Sequence, residues 1–213
     1  MATQLRSGQK LLFIGDSITD CGRRDAQRPL GLGYVKWVAD LLTLREPAKR
    51  VGIVNKGIGG DNVLGLRSRW SDDVVRERPD WLSVKIGIND LHAATFGGRK
   101  DLAPPAFEAA YRGILERTRR ELPKCRVLLI DCFYLSLDRR PESQRGQVLK
   151  AIPAYLAATA RLSREFRTLH IATHALFRRL LQHCPPDVFC NEPVHPNLTG
   201  HLAIAEAVYA ALS

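Results

Sequence analysis

Short apolar runs bounded by turn residues alternate with segments of helical spacing along the chain. Leu11-Leu12-Phe13-Ile14 runs into Gly15-Asp16-Ser17, and Val51-Gly52-Ile53-Val54 into Asn55-Lys56-Gly57. Residues 81–86 (WLSVKI) run into Gly87-Ile88-Asn89-Asp90; residues 126–133 form a fourth run, and Leu169-His170-Ile171-Ala172 a weaker fifth. Runs of this length predict strands buried on both faces. Between them, Val35, Val38, Ala39, Leu41 and Leu42 share one helical face, as do Phe107, Ala110, Tyr111, Ile114 and Leu115. Leu156, Ala160, Leu162 and Phe166 mark a third face, and Leu202, Ile204, Ala205, Val208 and Leu212 a fourth. The stretch 63–78 is polar but compatible with a helix that Pro79 stops. This alternation predicts an α/β fold with a parallel sheet covered on both faces and right-handed crossovers. No repeat or linker interrupts it, so residues 1–213 are expected to form one domain. Ligand sites in such folds lie beyond the carboxyl ends of the strands, where the turns after the first three runs fall.

Composition narrows the function classes. Of 213 residues, 45% are hydrophobic and 25% charged, the balance of an ordinary globular protein. Lys plus Arg number 32 against 22 for Asp plus Glu, a formal charge of +10, which could attract an acidic polymer. The basic residues are scattered, with no long run and no aromatic interleave, so a solvated basic surface is expected rather than a nucleic-acid site. Five cysteines without a CxxC pair, and an N-terminal stretch lacking a signal-peptide core, lead us to expect reduced thiols and a cytoplasmic location. No apolar stretch approaches the roughly 20 residues of a membrane span, so no membrane partner is expected.

The turns hold the candidate chemistry. Ser17 directly follows the first strand and opens the next helix, where free N–H groups favour developing negative charge. It reads equally as a capping serine or as a nucleophile. Residues 57–62 (GIGGDN) let backbone N–H groups face a ligand, yet the turn has neither the P-loop nor the dinucleotide-binding pattern. Asn89 reads as a turn cap or as an N–H donor to an oxyanion. Among six histidines, His195 stands apart because Glu192 precedes it by three residues and Pro196 stiffens the chain behind it. His183, Cys184, Cys190 and His195 match no common zinc spacing, so neither metal nor cofactor is expected.

Together, Gly15-Asp16-Ser17, Gly60, Gly87-Ile88-Asn89-Asp90 and His195-Pro196 resemble the four ordered blocks of the SGNH (GDSL) hydrolase superfamily. The stretches GDSITDCGR (15–23), LGYVKWV (32–38), VNKGIGGD (54–61), RW (69–70), PDWLSVKIGIND (79–90) and VHPNLTGH (194–201) look like the branch containing bacterial serine acetylxylan esterases. The resemblance implies a flavodoxin-like three-layer α/β/α sandwich with about five parallel strands. It implies Ser17 as nucleophile, His195 as general base, and an oxyanion hole of the Ser17 and Gly60 N–H groups with the Asn89 side chain. The family places Asp three residues before the histidine, where this chain has Glu192. Glu192 is expected to orient His195, with Asp187 and then a backbone carbonyl as the next candidates. Asp16, Asp61 and Asp90 are read as carboxylates that hold the turns. Asp16, Asp20, Arg23 and Asp90 are also kept as pocket candidates.

Ser17, His195 and Glu192 as a triad predict a serine esterase working through an acyl-enzyme. The loops 96–105 and 134–146, polar and basic, are expected to line the mouth, which suits a short acyl group on a hydrated carrier such as a sugar. Alternatives are a thioesterase or lysophospholipase of the same superfamily, or a carbohydrate-binding protein with a disabled triad. The expected partner is a small-molecule or oligosaccharide ester, and a homo-oligomer stays open.

Overall fold

The computed structural model describes residues 2–213. Five parallel strands form one sheet in the order β2-β1-β3-β4-β5: β1 (Lys10–Gly15), β2 (Gly52–Gly57), β3 (Trp81–Lys85), β4 (Arg126–Ile130) and β5 (Leu169–Ile171). Leu12, Ile14, Leu82, Val84, Val127 and Leu129 pack into one core layer. Their neighbours Leu11, Phe13, Trp81, Leu128 and Ile130 pack into the other. A strand points successive side chains to opposite faces, so a run buried on both faces is apolar throughout. That is the physical origin of the unbroken apolar runs.

Helices cover both faces, giving the three-layer α/β/α sandwich and the fold class expected from the sequence. Helices α2 (Tyr34–Arg45), α7 (Thr173–Leu180) and α8 (Leu198–Leu212) add side chains to the layer containing Phe13. Helices α3 (Val63–Trp70), α4 (Ile88–Phe96), α5 (Pro104–Glu121) and α6 (Gln144–Phe166) build the layer containing Leu12. A short α1 (Ser17–Asp20) follows β1 directly. The polar stretch after residue 63 is α3, continued by a π-helical turn over Ser71–Val75; Arg78 then takes a positive φ of 47° before Pro79. Helix α6 begins well before the expected face at Leu156, with Val148 and Ile152 already in the core, and is capped by Ser143, whose Oγ accepts the Gly146 N–H at 2.9 Å. The fourth strand is shorter than its apolar run, because the chain leaves the sheet after Ile130.

Register fixes where the turns emerge. Gly15 at the end of β1 lies opposite Gly57 of β2 on one side and Lys85 of β3 on the other, and Lys85 in turn faces Ile130 of β4. Four strands therefore finish level, and the segments after them rise together at one edge.

Candidate active site

Asp16 ends the extended backbone of β1 and caps α1, its Oδ1 accepting the Ile18 N–H at 3.0 Å. This cap turns the chain sharply enough to set Ser17, the first helical residue, half-exposed at the sheet edge. Ser17 Oγ lies 2.7 Å from His195 Nε2. On the other side of the ring, His195 Nδ1 donates to Glu192 Oε1. With the Nδ1 proton held by a carboxylate, Nε2 is left as acceptor for the Ser17 hydroxyl proton.

Glu192 bends back through local hydrogen bonding. Its Oε1 also accepts the His195 N–H at 2.8 Å, and its Oε2 accepts the Val194 N–H at 2.9 Å. Extended backbone before a proline leaves these two N–H groups ahead of the side chain, within reach of a glutamate. Partial burial works against the Glu192 charge, but the Val194 N–H and then the His195 ring and N–H outweigh it and hold the carboxyl below its usual range. Asp187, the rival acid, stands exposed on the 3-10 turn Pro186–Val188; Asn197 Nδ2 donates to its backbone carbonyl at 3.3 Å. The carboxylate that meets the imidazole is that of Glu192.

The turn after β2 supplies the next group. Gly60 adopts φ 77°, a conformation that favours glycine, while a Cβ there would meet nothing within 4 Å. The backbone conformation, not crowding, calls for glycine. Asn89, in the first turn of α4, donates Nδ2–H to the Asp61 carbonyl at 2.8 Å. That bond ties the turns after β2 and β3 together and sets the direction of the second Nδ2 proton.

Among the four pocket candidates, Asp16 and Asp90 are fully buried and Asp20 is 6% exposed, so these three hold turns and do not line a pocket. Asp90 Oδ1 accepts the Val63 N–H at 3.0 Å; burial first, then the nearby charges of Asp16 and Asp61, push its carboxyl up to about 7. Asp20 accepts from Gly59 N–H at 3.0 Å and pairs with Arg24 at 2.8 Å. Arg23 is half-buried, its Nε donating to the Gly57 carbonyl at 2.7 Å, beside a groove of about 460 Å³ that it lines with Arg24, Arg28 and Lys56.

Arg69, visible in the sequence only within the RW pair, clamps the end of β1 to the end of β2 and the turn that follows it. Its guanidinium donates to the carbonyls of Lys56 (2.7 Å) and Gly15 (3.2 Å) and to the carboxylates of Asp61 (2.7 Å) and Asp73 (2.6 Å). His201 packs in α8: its Nδ1 accepts the Tyr34 N–H at 3.1 Å, and burial lowers the imidazole to about 4. A second groove, of about 420 Å³, adjoins Glu192 and is lined in part by Ser136, Asp138, Arg145, Asp187 and Asn191. The loop 134–146 thus reaches the mouth, whereas Leu102 of the other expected loop is buried in the core.

A serine hydroxyl paired with imidazole and carboxylate at the strand ends of a parallel α/β sandwich defines a serine-hydrolase class of site. The chain belongs to the GDSL-like lipase/acylhydrolase family, which it matches over residues 13–203, and it is a carboxylic ester hydrolase. It is 35% identical over 217 residues to an acetylxylan esterase of Geobacillus stearothermophilus, with 96% of this chain and 94% of that protein covered. The crystal structure of Axe2, an acetylxylan esterase from the same organism, matches with a TM-score of 0.87 at 32% identity, covering 99% of this chain and 96% of that one. A Parabacteroides merdae protein described as a GDSL-like lipase matches with a TM-score of 0.90 at 30% identity, covering 100% of this chain and 99% of that one.

Proposed function

We propose that this protein removes short acyl groups, acetyl foremost, from carbohydrate esters, with Ser17 as nucleophile, His195 as general base and Glu192 as the acid that orients it. The observation that carries the reading is the relay from Ser17 Oγ through His195 (2.7 Å to Nε2) to Glu192. His195 Nε2 takes the hydroxyl proton as Ser17 Oγ bonds to the ester carbonyl carbon. Negative charge on the carbonyl oxygen is met by the N–H groups of Ser17 and Gly60 and by Asn89 Nδ2–H. Collapse breaks the bond to the sugar oxygen, which leaves with the proton from Nε2. Water then attacks the acyl-Ser17, giving its proton to Nε2, and the carboxylic acid is released. Catalytic mutants of Axe2 replace a serine, a histidine and an aspartate three positions before that histidine, which supports the assignment by analogy.

The side chains of His195 and Glu192 are 54% and 47% exposed, and the adjoining groove offers polar side chains. A wet, open site suits a sugar ester better than a long acyl chain, which needs an apolar channel. Against p-nitrophenyl esters from acetate to palmitate, kcat/KM is expected to peak at acetate, with acetylated xylo-oligosaccharides also deacetylated. A maximum beyond about eight carbons would reject the carbohydrate reading in favour of a lysophospholipase. Asn89→Ala is expected to lower kcat by about 10²–10³ with little change in KM and a small fall in Tm from the lost bond to the Asp61 carbonyl; unchanged turnover removes Asn89 from the oxyanion hole. Cys21, Cys125, Cys132, Cys184 and Cys190 are all unpaired, which supports a reducing compartment such as the cytoplasm.

A further inference from the structure

Lys85 breaks the chemistry of its strand. It is the last residue of β3, in the middle of a five-stranded sheet, and its side chain has no exposed surface. Withdrawing an ammonium from water costs several kcal/mol unless a partner recovers it, so such a residue in a core calls for an explanation. Two partners are present. The Asp16 carboxylate, also fully buried, has Oδ2 3.5 Å from Lys85 Nζ. The face of Phe133 lies on another side, its centroid 4.9 Å from the same nitrogen.

Both contacts sit beneath the nucleophile. Lys85 is opposite Gly15 in the ladder, and a Cβ on Gly15 would stand 2.2 Å from the Lys85 carbonyl oxygen. The two strand ends are therefore in close contact one residue before Asp16 and two before Ser17. Asp16 Oδ1 accepts the Ile18 N–H that starts α1, while Oδ2 makes no hydrogen bond among the described residues and faces the ammonium as an ion pair at 3.5 Å. A cap held on one oxygen can pivot about its side-chain torsions and take the first helical turn with it. With the buried ammonium as the charge facing Oδ2, turning that oxygen away would leave both charges unpaired, and the ion pair opposes the pivot.

We propose that Lys85 is a positioning residue of the esterase: through Asp16 it fixes the first turn of α1, and with it the direction of Ser17 Oγ and Ser17 N–H. The inference rests on Ser17 being the nucleophile. Misplacement of reacting atoms by about 1 Å can cost 10²-fold in rate, so positioning appears in kcat more than in KM.

Lys85→Met keeps most of the length and removes the charge. It is expected to lower kcat on p-nitrophenyl acetate by about 10–100-fold with KM little changed. Its Tm should also fall, because Asp16 is left as a lone buried carboxylate. The double variant Asp16→Asn with Lys85→Met separates positioning from mere charge balance. Asparagine still caps α1 and no isolated charge remains, so Tm is expected to recover. The ion pair that opposes pivoting of the cap, however, is gone, so kcat is expected to stay at least about 10-fold low. A double variant with wild-type kcat overturns the proposal, as does wild-type kcat in Lys85→Met itself. If neither variant folds, the pair is a folding requirement and the positioning role is likewise rejected. Fluorophosphonate labelling of the wild type distinguishes the underlying assumption: no adduct at Ser17 removes the nucleophile reading, whereas an adduct formed equally fast in the double variant removes only Lys85.

Discussion

Ser17→Ala is expected to lower kcat on p-nitrophenyl acetate by roughly 10⁶-fold, as nucleophile removal does in other serine hydrolases. The fold should survive, because the hydroxyl's side-chain partner is His195 and the helix is capped by Asp16. Alanine at the first helical position keeps the backbone N–H in place. Near-unchanged Tm together with collapse of turnover separates chemistry from misfolding. Mass spectrometry after a fluorophosphonate probe supplies the second readout, with an adduct on the wild-type peptide containing Ser17 and none on the variant. A variant that keeps even a tenth of wild-type turnover sinks the acyl-enzyme mechanism.

The second large effect is at Glu192, where glutamine is expected to cost about 10⁴ in kcat, the scale seen for a carboxylate-to-amide change in a triad. The carboxylate accepts three N–H groups, from the Val194 backbone, the His195 backbone and the His195 ring. A glutamine must present an NH₂ to at least one of them, setting donor against donor. If the amide nitrogen faces the ring, Nδ1 becomes the acceptor, the proton moves to Nε2, and His195 can no longer accept from Ser17. If it faces Val194, the loop loses an acceptor and the side chain lets go of the turn. Asp187→Asn, measured alongside, is expected to stay near wild type; the reverse ranking would exchange their roles. The lowered Glu192 carboxyl sets the direction of pH dependence. A group depressed in the folded state contributes stability above its unfolded value of about 4.3, which is lost as pH falls through the folded value. The arrangement is therefore weakened only on the acid side of the ordinary carboxylate range.

Much of this fold was legible in the chain because a doubly covered parallel sheet leaves an unmistakable pattern of unbroken apolar runs. All five strands begin within one residue of such a run, and the helices with a clear apolar face are present. Helices α4 and α7 were not foreseen. Each is short, so its apolar residues supply too few turns for a period to emerge. The start of α6 was hidden for another reason: Pro153, a residue that ordinarily ends or interrupts a helix, lies inside it, although Val148 and Ile152 already face the core ahead of it.

The residue types of the site could likewise be read directly, since Ser17, Gly60, Asn89 and His195 stand in ordered blocks at strand ends. By itself the sequence determined the strand order in chain, the turns that carry polar groups and the class of chemistry those groups can perform. These follow from hydrophobic period, turn propensity and side-chain identity, all of which are local. The tertiary structure alone decided which acid meets His195, that Asp16 and Asp90 are buried under the site, that Arg69 clamps the end of β1 to the end of β2, and that Lys85 lies against Asp16. The last three depend on strand register between distant segments, whereas Glu192 reaches His195 through a local turn whose hydrogen bonds select it over Asp187. A distance between side chains far apart in the chain is a property of packing, which no local pattern encodes.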